Sequence, residues 1–193
     1  MLESLREVCK LGIVHFMLHK DTIKGGGDHS TLLKLLDSPH FDGVETTWIN
    51  DPTVRRGVAE ARRRTGKALA FGAQPVLLTQ KHDLNSLDEQ ARRAAVRAVQ
   101  EVVPQAYELE ASGLGVLSGK AVGEAEKERA MSQLVKSLTE IADTLAESGS
   151  MPLVIETFDQ LDYGKNCLIG PNRDAARIAK EVRTSHPNFG VMI

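Results

Sequence analysis

Thiol chemistry is nearly missing from this chain. Its two cysteines, Cys9 and Cys167, stand far apart and in no CxxC spacing. That argues against a disulfide framework and a thiolate metal site, and fits a reducing cytosol. Charge of one sign is missing too. The 24 basic and 26 acidic side chains leave a net charge of -2 and a pI near 6.3, so no electrostatic feature points to nucleic acid or to an anionic membrane as partner. No apolar run approaches the roughly 18 residues of a membrane span. The N-terminus, MLESLREVCK, lacks the cationic start and apolar core of a signal peptide. Neither GxGxxG nor GxxxxGK with a following Ser or Thr comes after any candidate strand, which removes the common nucleotide-binding fingerprints. His19, His29, His40, His82 and His186 lie in polar or loop contexts, and no HxxxH or HExxH spacing joins those five. The expectation from these absences is a soluble domain of the cytoplasm.

What the chain does have is alternation. With 193 residues and 41% hydrophobic content, a single domain over residues 1–193 is expected. Strand candidates are 11–17 (LGIVHFM), 43–49 (GVETTWI), 68–74 (ALAFGAQ, ended by Pro75), 113–118 (GLGVLS), 151–155 (MPLVI) and 189–193 (FGVMI). Between them lie helical patterns. One is short, over 31–36, with Ser30 as its cap. Another opens at Asp51-Pro52 and closes at Thr65-Gly66. A third spans about 88–111, with Ala91, Ala94, Ala95, Ala98, Val99, Val102 and Ala106 on its buried stripe and Pro104 kinking or splitting its end. A strongly amphipathic helix carries Met131, Leu134, Leu138 and Ile141 on one face, and a last one is capped by Asn172. Such alternation means βα units and a parallel sheet. An open doubly wound sheet and a (β/α)8 barrel both satisfy it.

The strand exits favour the barrel. His15, Glu45 or Thr47, Gln74, Ser118 and Glu156 fall at or near successive exits, and barrel enzymes collect their catalytic groups from several strand ends. Glu156 is the sharpest of these. It ends the apolar run 151–155, and a buried carboxylate without a cation or donors costs several kcal/mol by order of magnitude. Glu156 is therefore read as a holder of a divalent metal. The barrel reading has one difficulty: eight units need about 250 residues, and this chain supplies about five βα units and a sixth strand.

The motifs GIVHFM, DGVETTWINDP, AFGAQP, LSGK and LVIETFD…LIGP…NFGVMI, in that order, resemble the sugar phosphate isomerase/epimerase family of xylose-isomerase-like TIM barrels. The resemblance runs from about residue 12 to residue 193. It implies a divalent cation, Mn²⁺ or Mg²⁺, held by carboxylates and a histidine at the later strand ends, with Glu156 as the first ligand. It also implies a substrate-binding acid six residues further on, where Asp162 stands in place of the usual Glu. The remaining ligands would follow residue 193. The expectation is thus the N-terminal part of an incomplete (β/α)8 barrel, inactive by itself. In the complete site a proton or hydride would move next to a sugar carbonyl, with Glu156 as ligand and base.

His15, Glu45, Trp48 and Gln74 join Asp162 as candidate substrate contacts, each beside a plainer reading. His15 is as readily a core histidine, Glu45 half of a buried ion pair, and Trp48 a packing residue between strand and helix. Gln74 and Lys120 are weaker candidates, since polar residues commonly end strands, and Asp159 reads as a loop-solvated acid. The Arg62-Arg63-Arg64 run reads as solvated helix end. The expected partner is a sugar or sugar phosphate, not nucleic acid or membrane. An open edge at FGVMI is a predicted association site, which allows a homo-oligomer. Alternatives are a sugar-acid lyase or dehydratase on the same fold, or a non-catalytic partial barrel. An apurinic endonuclease would need histidine ligands and a basic face that the chain does not display.

Overall fold

The computed structural model describes residues 7–161, 164–170 and 172–193. The chain forms two compact units, one of residues up to Gly72 together with Gln105–Ser112, the other of Ala73–Pro104 and Gly113–Ile193.

The first unit holds strands β1 (Gly12–Val14), β2 (Gly43–Thr46) and β3 (Ala68–Gly72). They pair in parallel with Gly12 beside Gly43 and Gly43 beside Ala68. Helices α1 (His15–Leu18), α2 (Ser30–Asp37) and α3 (Pro52–Thr65) connect them. The start of α3 is as the sequence dictates. The Asp51 carboxylate accepts from the Thr53 N–H at 2.7 Å, Pro52 occupies the first turn, and Gly66 closes the helix in the left-handed region at φ 67°. Leu32, Leu36, Val58, Leu69 and Phe71 are fully buried. In the arginine run at the end of α3, Arg63 and Arg64 are exposed and all three side chains are ion-paired. Arg62 and Arg63 share Glu110, and Arg64 meets Asp37.

Two expectations in this unit shift. The run LGIVHFM yields a strand of three residues only, because the chain turns helical at His15, whose carbonyl accepts from the His19 N–H at 2.9 Å. Ser30 is not the cap of α2. Ser30 is the first helical residue, the cap position falls on His29, which makes no side-chain cap bond, and the Asp28 carboxylate accepts from the N–H and the hydroxyl of Ser30 at 2.8 and 2.9 Å.

The second unit holds β4 (Leu114–Leu117), β5 (Leu153–Glu156) and β6 (Gly190–Met192), again parallel, with Leu117 beside Glu156 and Glu156 beside Met192. Its helices are α4 (Gln74–Thr79), α5 (Glu89–Gln100), α7 (Glu124–Ser148) and α8 (Asn172–Val182). A short α6 (Val103–Glu108) follows the break that Pro104 was expected to cause. Gln74 and Pro75 do not end a strand. They open α4, where a proline without an N–H fits the first turn. The stripe of α7 is buried as expected at Met131, Leu134, Leu138 and Ile141.

The stripe of α5 contains a surprise. Ala91 is exposed, and Arg92 beside it is among the largest fully buried side chains. Its guanidinium donates to both oxygens of Glu89, to Glu140 and to the Ser137 hydroxyl, which in turn donates to the Leu84 carbonyl at 2.7 Å. This charge is admitted to the α5–α7 interface because every direction of its fork meets an acceptor. Arg92→Ala would leave those acceptors facing one another, and we expect a loss of about 2–3 kcal/mol in urea denaturation. Arg93→Ala, on the exposed side of the same helix turn, should change stability by about 0–1 kcal/mol.

Candidate active site

Along β5 burial alternates: Leu153 and Ile155 face the core, whereas Val154 and Glu156 lie on the other, half-buried face. The strand is thus buried on one face, not on both. Glu156 is consequently half-exposed, and its carboxylate finds a donor from far along the chain. The Gln74 Nε2–H donates to Glu156 Oε2 at 2.9 Å. Gln74 is itself buried, at 5% exposure, in the first turn of α4. A Cβ on Gly115 in β4 would come within 3.1 Å of Gln74 Nε2, so glycine there leaves room beside the amide. The backbone approaches the same glycine, since the Ala73 N–H donates to the Gly115 carbonyl at 2.8 Å. Gln74 Oε1 is buried without a hydrogen-bond partner among the described residues. The arrangement is a carboxylate with one oxygen pinned, beside an amide oxygen still able to accept.

Nearby, Ser118 is fully buried, and its hydroxyl accepts from the Ile169 N–H at 2.9 Å. Burial pushes the Cys167 thiol up to about 11, away from nucleophilic use. Asp159, expected in solvent, organises its loop by accepting from the Leu161 and Lys165 backbone N–H groups. Asp162 lies outside the described residues.

The other candidates lie in the first unit. His15 opens α1 almost fully buried, its Nε2 within 2.9 Å of the Thr31 hydroxyl and its Nδ1 without a partner among the described residues. The His19 and His29 rings stand 5.1 and 6.0 Å from it, centre to centre. Burial, then the proximity of those two imidazoles, pulls the His15 pKa down to about 4. The HFMLH spacing, four residues apart along a helical turn, was the signal for the His15–His19 pair, and reading His15 as a strand residue concealed it. Glu45 sits half-buried in β2, beside Val14 and Ala70 in register. Trp48 packs against the glycine loop, where a Cβ on Gly25 would strike the indole Nε1 at 2.4 Å. Among the described residues no group of three His, Cys, Asp or Glu side chains is placed to hold a metal ion.

Residues 34–193 match the family model described as the xylose isomerase-like TIM barrel. The chain belongs to that family. No curated protein sequence matches it, and solved structures show the fold. A D-tagatose 3-epimerase-like protein is 16% identical with a TM-score of 0.69, over 95% of this chain and 64% of its own. The D-psicose 3-epimerase of Clostridium cellulolyticum H10, solved with D-tagatose, is 17% identical with a TM-score of 0.70, over 95% and 62%. The IolI protein, solved with a zinc atom, is 16% identical with a TM-score of 0.69, over 95% and 62%. This xylose isomerase-like chain therefore spans a little under two thirds of the length of those relatives. It carries an incomplete α/β fold of TIM-barrel type. Among the described residues no helix is long and apolar enough to cross a membrane.

The state of His15 has a measurable consequence. The unfolded chain takes up a proton at this residue near pH 6.5, whereas the folded protein resists it down to about 4. The contribution to stability is therefore complete above pH 6.5 and is lost as pH falls towards 4. In denaturant titrations across that window His15→Phe should flatten part of the decline. Profiles of equal slope would contradict a neutral buried imidazole.

Proposed function

We propose that Glu156, oriented by Gln74, serves sugar isomerase or epimerase chemistry by moving the proton on the carbon next to a sugar carbonyl. The observation that carries this reading is the Gln74–Glu156 hydrogen bond at the exit of β5, within a family whose solved relatives include ketose epimerases. A general base must present a lone pair in a fixed direction. Gln74 fixes Glu156 Oε2 and leaves the second oxygen for the proton. The C–H bond breaks, its electron pair moves into the carbonyl to give an enediolate, and the proton rests on Glu156. Return of that proton to the neighbouring carbon isomerises the sugar; protonation of the same carbon from its opposite face by a water molecule, with the proton on Glu156 passing to the hydroxide left behind, epimerises it. Gln74 Oε1, buried and able to accept, is suited to a substrate hydroxyl. A sugar contact from Asp162, six residues beyond Glu156 along the chain, belongs to the same proposal.

A divalent cation, Mn²⁺ or Mg²⁺, is part of the reading, with Glu156 giving it one oxygen. Such ions take about six oxygen ligands, and the described residues do not make up such a set. When bound, the ion would polarise the carbonyl oxygen.

The test is exchange, which needs the base alone, and not product formation. D-Tagatose is incubated with the chain and Mn²⁺ in deuterated water, and proton loss next to the carbonyl is followed by NMR. Wild type should exchange above the buffer background, and Glu156→Gln should slow it at least about a hundredfold. Equal rates in the two proteins would refute the assignment.

A further inference from the structure

Three of the six histidines converge in the first unit, on α1 and on the loop that leads from it to α2. His15 and His29 are buried and His19 is half-buried, with the His19 and His29 rings 5.1 and 6.0 Å from that of His15. The chemistry assigned to Glu156 makes no use of them.

The hydrogen bonds fix which nitrogen of His15 carries its proton. The Thr31 hydroxyl has one hydrogen and donates it to the Asp28 carbonyl at 3.1 Å. Towards His15 it can only accept, and His15 Nε2 lies 2.9 Å away, so the neutral ring is the Nε2–H tautomer. Nδ1 is left with a bare lone pair, buried and without a partner among the described residues. A proton taken up there would find no acceptor and would face two further imidazoles.

Carboxylates act in the opposite direction. Asp21 and Asp28 attract a charge on His15, and Asp51 joins them at His29. The backbone N–H groups of Ser30 and Thr53 hold Asp28 and Asp51 below the usual carboxylate range, so both stay ionised while imidazoles titrate. Lys34 faces Asp28 from α2, Lys20 and Lys24 are exposed on the loop, and β2, packed against α1, carries Glu45. Burial and the two imidazoles outweigh the attraction, which is why His15 is held down to about 4.

The segment able to yield is the loop over residues 19–29. Phe16 and Leu32, just outside it on either side, are buried in the core, whereas most of the loop is exposed. Few bonds fasten its middle. The Gly25 N–H donates to the Thr22 carbonyl, the Asn50 N–H donates to the Gly25 carbonyl at 2.8 Å, and the Asn50 side-chain amide donates to the Lys24 carbonyl at 3.3 Å. Segments tied this lightly open locally before the whole chain unfolds. Gly25 lies against Trp48, where a Cβ would strike the indole Nε1, and Trp48 is the single tryptophan of the chain.

We propose that the loop over residues 19–29 is a proton-released latch, closed against Trp48 while the imidazoles of His15, His19 and His29 are neutral, and opening, with the rest of the chain still folded, when His15 Nδ1 takes a proton. Opening returns His15 to water, where it titrates near 6.5. Each pH unit below 6.5 therefore favours the open loop by about tenfold, until the closed form itself titrates at about 4.

Acrylamide, an uncharged quencher, reads the latch through Trp48 fluorescence, and far-UV circular dichroism reads the fold. Between about pH 7 and 4.5 quenching should rise at least about twofold while the dichroism stays constant. His15→Phe removes Nδ1 and should hold quenching at its neutral-pH level. His19→Gln, at a half-buried position, takes away one opposing imidazole. It should move the midpoint to lower pH by about half a unit, and it decides the matter should His15→Phe not fold. Quenching that ignores pH, or that changes only together with the dichroism, overturns the latch. So does a response that survives in His15→Phe, or a midpoint unmoved in His19→Gln.

Discussion

One hydrogen bond, from the Gln74 amide to Glu156 Oε2, is the constraint on which the candidate site depends. A carboxylate at a strand exit is common. A carboxylate held by a buried amide 82 positions away in the chain requires several features at once. Gly115 leaves room beside the amide, which a Cβ at 3.1 Å would push aside by a few tenths of an ångström. The Ala73 N–H must bond to Gly115 so that α4 starts in the right place, and Pro75 must tolerate the first helical turn. These residues are unremarkable singly. Together they aim one acid, and half-burial keeps that acid open to a ligand on the face it shares with Val154.

The same unit explains why α4 is stable enough to serve as a mount. It is short, and short helices draw their stability from packing, not propensity. Val76 and Leu77 are buried on it, and the Leu77 carbonyl turns to accept from the His82 N–H at 2.8 Å. Behind it, α5 and α7 are locked by the Arg92 network. That support lies behind the helix that carries Gln74, the residue that orients the base at the exit of β5. Lys81, in the left-handed region at φ 58°, ends this helix.

Much of the fold was legible in the sequence because local chemistry and tertiary structure agree. Asp51, Pro52 and Gly66 bound α3 as their types dictate, Pro104 breaks the helix that contains it, and the stripe of α7 is buried where the 3.6 period puts it. The motif order also identified the family. What failed was the length of strands. LGIVHFM, GVETTWI and ALAFGAQ are apolar beyond their last ladder bond, and composition does not record where a carbonyl turns back to a helical N–H, as at His15. The Ile49 N–H likewise goes to the Gln105 side chain, far along the chain. For the same reason Gln74 was undervalued: its importance lies in a partner 82 positions away. Arg92 was hidden by the rule that charges face water, which yields when three acceptors converge.

The central claim is that Gln74 acts through Glu156. A double-mutant cycle on proton exchange next to the D-tagatose carbonyl isolates that coupling. Gln74→Leu should slow exchange when Glu156 is present and have no further effect in the Glu156→Gln background. An equal slowing in both backgrounds would show that the amide acts independently of the acid, and would contradict the account.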